Sequence, residues 1–272
     1  MKIPSKPKGL EKYEEWLKKE YSIELNDRLR NYYETVATKI KRQFEESEYW
    51  IKLCKSLKEF EAEYRTSTGY PLLMPNFKLE LGIKPYESFL IKTYRKNILE
   101  NKNWPNPPEP TKKWILPNSP STWYPKINDI ARTLIVVKYL DGVEFLANKL
   151  LELAEDVSIK SERHYVVTDD GYYAVHIYLT QDFEVPKLDW DTEEIKLKIE
   201  IQIMTQLQEV IRQLLHKYYE KERLKLKTTH KEIDWRWNYK SDKFRASYIG
   251  HMLHYIEGVI VELRDRLREE YE

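Results

Sequence analysis

Polar side chains stand on two strand-like stretches between positions 169 and 205, where packing alone does not require them. Tyr172 and His176 follow the turn sequence Asp169-Asp170-Gly171, and Glu200 and Gln202 alternate with isoleucines. A turn, aromatic rings, a histidine and a carboxylate brought to the end of a sheet form an edge at which nucleotides are commonly bound. This stretch therefore indicates a nucleotide site.

A second group precedes it in the chain. Lys84, Ser88 and Lys92 are spaced by four, and Pro85 suits the first turn of a helix that contains the last two. Two ammonium groups with a hydroxyl between them, near a helix N-terminus, could hold phosphate. The alternative is a solvated basic helix face, and the spacing alone does not separate the two interpretations.

Asp129 is the remaining candidate. It leads into the β-branched run from Ile130 to Val137, which is typical of a buried strand. A carboxylate at the start of such a strand either caps a turn or binds a cation, and both interpretations stay open.

Composition narrows the class of protein. The mean hydropathy is −0.72, 33% of residues are charged, and no apolar run approaches the roughly 20 residues that span a bilayer. With no signal-like N-terminus, we expect a soluble cytoplasmic protein without membrane contact. Cys54 is the only cysteine, so an internal disulfide and a cysteine-based zinc site are excluded. We expect Cys54 to be a small buried hydrophobe.

The net charge of +1 creates no global field for nucleic acid, so any such binding must use a local patch. The N-terminal part reads as helices from Leu10 to about Tyr64, broken near 22–26, with Asn26 and Asp27 as caps of a long second helix. The basic run that contains Lys39, Lys41 and Arg42 is either the solvated face of that helix or a phosphate-binding patch.

The remaining elements alternate. Loops are expected over 67–85 and 181–194, an ordered Trp- and Pro-rich loop over Asn101–Pro125, helices over 143–155, 206–226 and 244–270, a hairpin through 158–180, and a strand over 196–203. This order predicts an α+β fold with a mixed sheet, flanked by N-terminal helices and a long C-terminal helix. We expect a helical region at 1–80, a core at 81–230 and the C-terminal helix at 231–272.

Taken together, these residues resemble the synthetase domain of RelA/SpoT homologues, a nucleotidyltransferase-like fold. The resemblance spans roughly 84–219 and rests on Lys84-x3-Ser88-x3-Lys92, Asp129, Gly171-Tyr172-x3-His176, Glu200-Ile201-Gln202-Ile203-x-Thr205 and His216. The layout around the core is most similar to the toxic small alarmone synthetases, which are toxins of toxin-antitoxin and phage-defence systems.

The resemblance implies pyrophosphate transfer from ATP to a ribose hydroxyl. Lys84, Ser88 and Lys92 would hold the ATP phosphates, with Arg95 near the adenine. Asp129 and Glu200 would be the catalytic and Mg²⁺-binding carboxylates. On the acceptor side, the base would stack on Tyr172, while His176 and Gln202 would complete the site.

The chemistry of phosphoryl-type transfer independently requires the same kinds of residue. Phosphoryl-type transfer depends on charge neutralisation and in-line positioning more than on covalent catalysis, so cations, a metal and its carboxylates should carry most of the rate. Stacking of a base on the tyrosine would contribute about 1–3 kcal/mol.

Departures from the family pattern bear on the acceptor. Gly82, Leu134, Tyr173 and Met204 stand where alarmone synthetases often have arginines, and Arg132 replaces a usual glycine. With fewer arginines, the site is less suited to binding the phosphates of GDP or GTP. A toxin branch of the family instead modifies the 3′ CCA end of tRNA and blocks aminoacylation. We therefore expect tRNA as the acceptor, with Lys39, Lys41, Arg42 and Arg95 as candidate contacts, and a separate antitoxin as partner.

Three alternatives remain. The chain could make (p)ppGpp or (p)ppApp from free nucleotides. It could also be a catalytically silent binding module that kept the fold. Finally, His251-x-x-His254-x-x-Glu257 places three possible zinc ligands on one helical face, although histidines in such a helix are more often packing groups.

Overall fold

The computed structural model describes residues 5–123, 126–189, 191–223 and 234–271, with side chains except those of 216–223 and 271. Within these ranges the helices are α1 Leu10–Tyr21, α2 Asp27–Glu45, α3 Glu48–Thr68, α4 Tyr86–Tyr94, α5 Leu140–Asp156, α6 Gln206–Arg223 and α7 Asp242–Tyr271. The strands are β1 Gly82–Ile83, β2 Ala131–Val137, β3 Lys160–Val167, β4 Tyr173–Pro186 and β5 Thr192–Thr205. The expected α+β class is confirmed.

The five strands form one mixed sheet in the order β1-β2-β5-β4-β3. Strand β5 is parallel to β2 and antiparallel to β4, and the outer pairs are antiparallel. The expected hairpin is confirmed as β3 and β4, because Val167 pairs with Tyr173 across the turn. The last strand in the sequence therefore lies in the middle of the sheet.

The two faces of the sheet differ because side chains alternate along each strand. One face carries buried aliphatic residues such as Ile135, Ile177 and Ile201, which join a core with α2, α3 and α5. The other face carries Arg132, Glu200 and Gln202 from the neighbouring strands β2 and β5. This second face positions the polar residues singled out above.

The N-terminal helices begin at side-chain caps. Asn26 accepts a hydrogen bond from the backbone N–H of Leu29, as expected, and Ser47 does the same for Trp50. The single long helix expected after Asn26 is therefore wrong: Ser47 ends α2 and starts α3. The turn lets both helices lie on the core face of the sheet.

The Trp- and Pro-rich loop is ordered and packed on the body, as expected over its described part. Trp123 is fully buried against Tyr33 and Phe89. Trp104 and Trp114 pack around Trp16 of α1, which ties the first helix to the loop.

The loop expected over 181–194 is wrong. Strand β4 continues to Pro186 and β5 starts at Thr192, because Phe183, Val185 and Ile195 keep burying every second side chain. Charged residues between them hide this alternation, and Pro186 stands at the strand end, where a missing N–H costs little.

Other expectations are corrected or fall outside the described ranges. Cys54 is exposed rather than buried, because it sits one position beyond Leu53 on the outer side of α3. The expected boundaries at Pro125 and Leu226 lie outside the described residues. None of the described helices is long and apolar enough to cross a membrane.

Candidate active site

Asp129 lies between two lysines at the start of β2. Its Oδ2 accepts a hydrogen bond from Lys84 Nζ at 2.8 Å, and its Oδ1 accepts one from Lys92 Nζ at 2.7 Å. The guanidinium of Arg132 approaches Oδ2 at 3.8 Å. The structure thus brings two of the sequence-predicted donor residues, Lys84 and Lys92, together around one carboxylate.

Local structure fixes the position of Lys84. Its backbone N–H donates to the carbonyl oxygen of Ile130, and its carbonyl oxygen accepts from the Tyr33 hydroxyl at 2.6 Å. Pro85 then caps α4, which carries Ser88 and, one turn later, Lys92. Both lysines therefore come from a rigid strand-to-helix connection, and Ser88 lies between them at the start of α4.

The charges of this cluster depend on one another. Burial alone would raise the pKa of Asp129, but the ammonium groups of Lys92 and Lys84 hold that pKa well below its usual range. Burial lowers the pKa of Lys84, and the carboxylate of Asp129 opposes this effect. Asp129 is therefore ionised at neutral pH, and the lysines are held where a phosphate could compete for them.

Glu200 is the second carboxylate. It is 5% exposed, its Oε1 accepts a hydrogen bond from the Gln202 amide, and His176 Nδ1 lies 3.5 Å from it. His176 Nε2 is in turn 3.2 Å from the hydroxyl of Tyr172. Burial lowers the pKa of His176, against the opposing effect of Glu200. The four sequence-predicted acceptor-side residues are thus one connected group.

The register of the sheet brings the group around Asp129 close to the group around Glu200. Arg132 is the Cα partner of Glu200 on the parallel neighbour strand, while its guanidinium faces Asp129. On the other side of Glu200, Tyr178 is its partner across β4. This row of the sheet therefore places Arg132 beside Glu200, and the Arg132 guanidinium in turn approaches Asp129, which precedes β2.

Sequence reasoning missed several residues of this site. Burial raises the pKa of Tyr172 to about 12, the charge of Glu200 adds to the rise, and Arg212 and Arg132 oppose it. Arg212 of α6 also hydrogen-bonds Glu209 at 2.8 Å. Ala131 and Thr133 are buried, so the alternation along β2 could have predicted that Arg132 lies on the opposite, polar face of the sheet. Arg212 is far from Tyr172 in the sequence, and only the fold brings the two close together.

The donor set fits Mg²⁺ in part. Mg²⁺ prefers oxygen ligands and is commonly held by one or two carboxylates together with substrate phosphates. Asp129 and Glu200 supply carboxylates from adjacent strands, and both are buried. Both carboxylate oxygens of Asp129 accept hydrogen bonds from the lysines. Asp129 could therefore bind a metal ion only if the lysine ammonium groups moved away from it, toward a bound phosphate.

Other predicted contacts lie elsewhere. Arg95 pairs with Glu100, and the charges at Lys39, Lys41 and Arg42 pair with Glu184, Glu45 and Glu46. Glu184 is six residues along β4 from the partner of Glu200, which is roughly 20 Å away at about 3.3 Å per residue. The basic run on α2 is therefore separate from the carboxylate cluster. The side chain of His216 lies outside the described part of the chain.

The histidines of α7 are packing groups. His254 stacks on Tyr173 with ring centroids 3.7 Å apart, and His251 Nδ1 lies 2.8 Å from the Tyr173 hydroxyl. Among the described residues, no group of three or more His, Cys, Asp or Glu side chains could hold a metal ion. The zinc alternative is therefore wrong.

No protein-family model matches the sequence, and no curated protein matches it. Among solved structures, it is similar to small alarmone synthetase 1 from Bacillus subtilis, at 15% identity and a TM-score of 0.50 over 89% of this chain and 97% of that one. The same enzyme bound to its product pppGpp gives 18% identity and 0.49 over 84% and 95%. A GTP pyrophosphokinase family protein from Streptococcus pneumoniae gives 15% and 0.43 over 90% and 95%. The chain has the fold of a small alarmone synthetase.

Proposed function

We propose that this protein is a toxin-type pyrophosphokinase that transfers pyrophosphate from ATP to the 3′ CCA end of tRNA. The observation that carries the proposal is the pair of buried carboxylates on one sheet face, Asp129 between two lysines and Glu200 beside an aromatic group. Cations and carboxylates around a positioned hydroxyl are what phosphoryl-type transfer requires.

The donor half would be the connection from β1 to α4. When ATP binds, Lys84 and Lys92 exchange part of their contact with Asp129 for the triphosphate oxygens, while Ser88 donates from the first turn of α4. The helix N-terminus adds a favourable dipole for the anion. Bound Mg²⁺, held by Asp129 and Glu200, would supply further charge neutralisation at the phosphates.

The acceptor half would be the group around Glu200. The terminal adenosine stacks on Tyr172, and its ribose hydroxyl lies against the Glu200 carboxylate, which accepts the proton. The hydroxyl oxygen forms a bond to the β-phosphorus of ATP, and the bond from that phosphorus to the oxygen bridging it to the α-phosphate breaks. AMP leaves, and the RNA carries a pyrophosphate that blocks aminoacylation.

Two features support RNA over a free nucleotide. The positions at Gly82, Leu134, Tyr173 and Met204 carry no arginine, so the grip on a 5′ polyphosphate is reduced. In addition, Lys39 and Arg42 border an open groove of about 600 Å³ on α2. A long RNA could reach this groove while its 3′ end occupies the carboxylate cluster.

A specific observation favours the second candidate, an alarmone synthetase acting on free nucleotides. Arg132 and Arg212 both act electrostatically on Tyr172, from positions that the family pattern does not use. Two guanidinium groups near the stacking ring could bind the 5′ phosphates of GDP, GTP or AMP.

The deciding experiment supplies ATP labelled in its terminal phosphates together with tRNA and each free nucleotide. We expect label in full-length tRNA and none after the terminal adenosine is removed. Label found only in nucleotides would establish the alarmone synthetase instead. If neither tRNA nor any free nucleotide acquired label, both candidate functions would be wrong. Co-expression with neighbouring reading frames tests the proposed antitoxin, which should relieve the arrest of translation.

A further inference from the structure

Two large aromatic side chains are exposed just before α7. Trp237 is 80% exposed and Tyr239 is 66% exposed, on a turn that also contains Trp235. We call these three residues the aromatic turn. Rings that stand so far into solvent add nothing to the core, and an exposed group of large apolar side chains is an informative feature of a surface. Trp and Tyr are enriched where proteins contact other molecules, so the aromatic turn is a candidate binding surface.

Trp235 holds the aromatic turn against the protein. The guanidinium of Arg236 lies 5.0 Å from the centre of its ring, the ammonium of Lys243 lies 5.3 Å from it, and the ring of Tyr248 lies 6.1 Å away. Contacts of a cation with an aromatic face stabilise this arrangement. The ring of Trp235 therefore serves the local structure, which leaves the other two rings of the turn for a ligand.

Ion pairs place the aromatic turn beside the acceptor half of the site. Arg236 Nη2 donates to Oδ2 of Asp169 at 2.9 Å, and Lys243 Nζ lies 3.7 Å from Oδ1 of Asp170. Asp169 is three positions before Tyr172, and three residues of chain span at most about 11 Å. The two exposed rings are therefore next to the ring assigned above to the acceptor base.

We propose that Trp237 and Tyr239 stack on unpaired nucleotides of an RNA acceptor, namely those that precede the nucleoside bound at Tyr172. The inference rests on the proposed function, because it takes Tyr172 as the site of the acceptor base. Proteins that hold single strands use exposed aromatic rings beside cations, since every base has a flat face on which a ring can stack. Lys240 Nζ lies 5.8 Å from the ring centre of Tyr239, so a cation accompanies the second ring.

The charges around the aromatic turn indicate that stacking, rather than attraction to phosphate, would supply the binding energy. Between positions 234 and 245 and on the neighbouring 169–171 turn, four basic residues face four acidic ones: Arg236, Lys240, Lys243 and Arg245 against Asp169, Asp170, Asp234 and Asp242. Stacking releases few counterions, so its contribution should depend little on salt. This distinguishes the aromatic turn from the basic run on α2, where Lys39 pairs with Glu184 near the other end of β4.

The rest of α7 has a different surface chemistry. After Tyr248 its large exposed side chains are aliphatic apart from Tyr255: Ile249, Met252, Ile256, Val259, Ile260, Leu263 and Leu267. A protein partner would cover such aliphatic side chains together with the rings. Nucleotides would contact only the rings next to Tyr172, and this difference in extent separates the two kinds of occupant.

Binding of a short RNA in the absence of ATP tests the proposal. The probe is a fluorescein-labelled single strand of about four nucleotides that ends in CCA, followed by anisotropy. We expect Trp237→Ala to raise the Kd about 5-fold or more, and Trp237→Phe, which keeps a ring, to raise it about 2-fold or less. Tyr255→Ala is the matched control, since Tyr255 is 74% exposed on the same helix, and it should leave the Kd unchanged. The effect of Trp237→Ala should be the same at about 50 and 200 mM salt.

Several outcomes would overturn the proposal. These are no measurable binding of the single strand, a Trp237→Ala protein that binds it as tightly as the wild type, or an equal loss in Tyr255→Ala, which would indicate an apolar surface along all of α7. Equal affinity for a duplex of the same sequence would also exclude stacking on unpaired bases. Circular dichroism checks that each variant stays folded.

The binding assay involves no transfer, so its failure is distinct from that of the proposed function. Binding that depends on Trp237, in a protein that does not modify tRNA, would support the stacking surface and contradict the pyrophosphokinase. Transfer to tRNA with a KM unaffected by Trp237→Ala would retain the proposed function and refute the stacking surface.

Discussion

Lys92 Nζ lies 2.7 Å from Oδ1 of Asp129, and this ion pair crosses from α4 to the start of β2. Lys84 binds the other carboxylate oxygen, so neutralising the carboxylate leaves two cations without their partner. We expect Asp129→Asn to lower pyrophosphate transfer by about 100-fold or more, and to destabilise the fold by about 3–5 kcal/mol, because Lys84 is buried. Transfer assays and urea unfolding measure the two effects.

A matched control exists in the second buried ion pair. Asp141 binds Arg264, which is 5% exposed at its side chain, and neither residue touches the carboxylate cluster. Asp141→Asn should also lower the unfolding midpoint but leave transfer within about twofold at a temperature where the variant is folded. Equal loss of transfer in both variants would show that Asp129 acts through stability alone.

Low pH should reduce the folding stability of the wild type, because Asp129 becomes protonated. The lysines depress the pKa of its carboxyl, so the folded state favours the ionised form. The resulting stabilisation is complete above the unfolded-state pKa of about 3.9 and is lost progressively as the pH falls from about 4 toward the depressed pKa of the folded state. The stability difference between wild type and Asp129→Asn should therefore shrink between pH 6 and pH 3. A constant difference over that range would contradict this assignment.

Two substitutions of Tyr172 distinguish base stacking by its ring from hydrogen bonding by its hydroxyl. Its hydroxyl meets His176, whereas its ring is the proposed surface for the acceptor base. Tyr172→Phe should retain most acceptor affinity, and Tyr172→Ala should lose about 1–3 kcal/mol, a rise of roughly 5- to 150-fold in the KM for the acceptor. The KM for ATP should not change. Equal defects in both variants would favour a role for the hydroxyl.

The basic residues of α2 should matter for a long acceptor only. Lys39→Glu and Arg42→Glu should weaken transfer to tRNA and reduce its salt dependence, with ATP binding unchanged. Lys52→Glu on α3 is a suitable control, since Lys52 is similarly paired, to Glu48, and 43% exposed. If the control lowers transfer as much, the effect reflects overall charge and not a defined patch.

Two glycines of α7 provide a test of helix docking. A Cβ at Gly250 would collide with the backbone of Gly171, whereas one at Gly258 would meet only Leu140 Cδ2 at 3.9 Å. Gly250→Ala should lower the melting temperature markedly because a backbone contact must open. Gly258→Ala should be neutral or stabilise by up to about 1 kcal/mol through helix propensity. Similar melting temperatures for the two variants would contradict the close approach.

The sequence predicted those parts of the site that follow from local patterns. The alternation around Glu200 and Gln202 placed both on one strand face, and Pro85 marked the start of the helix that carries Lys92. The continuation of β4 past Gln181 was missed because charged side chains obscured the period-two pattern, which pairing with β5 reveals.

Long-range relationships account for the rest. The Tyr33 hydroxyl that holds Lys84 comes from 51 positions earlier, and no local pattern indicates such a contact. Arg132 and Arg212 both act electrostatically on Tyr172, and Arg212 comes within range of it only through the fold.

The central place of β5 has a consequence for synthesis on the ribosome. A nascent chain that has emerged as far as α5 already contains Asp129 and both lysines, but β3, β4 and the strand that bears Glu200 are still to be made. The sheet closes only when β5 inserts between partners that were made earlier. The residues around Asp129 are thus made well before Glu200, and premature termination before position 200 yields a fragment without the second carboxylate.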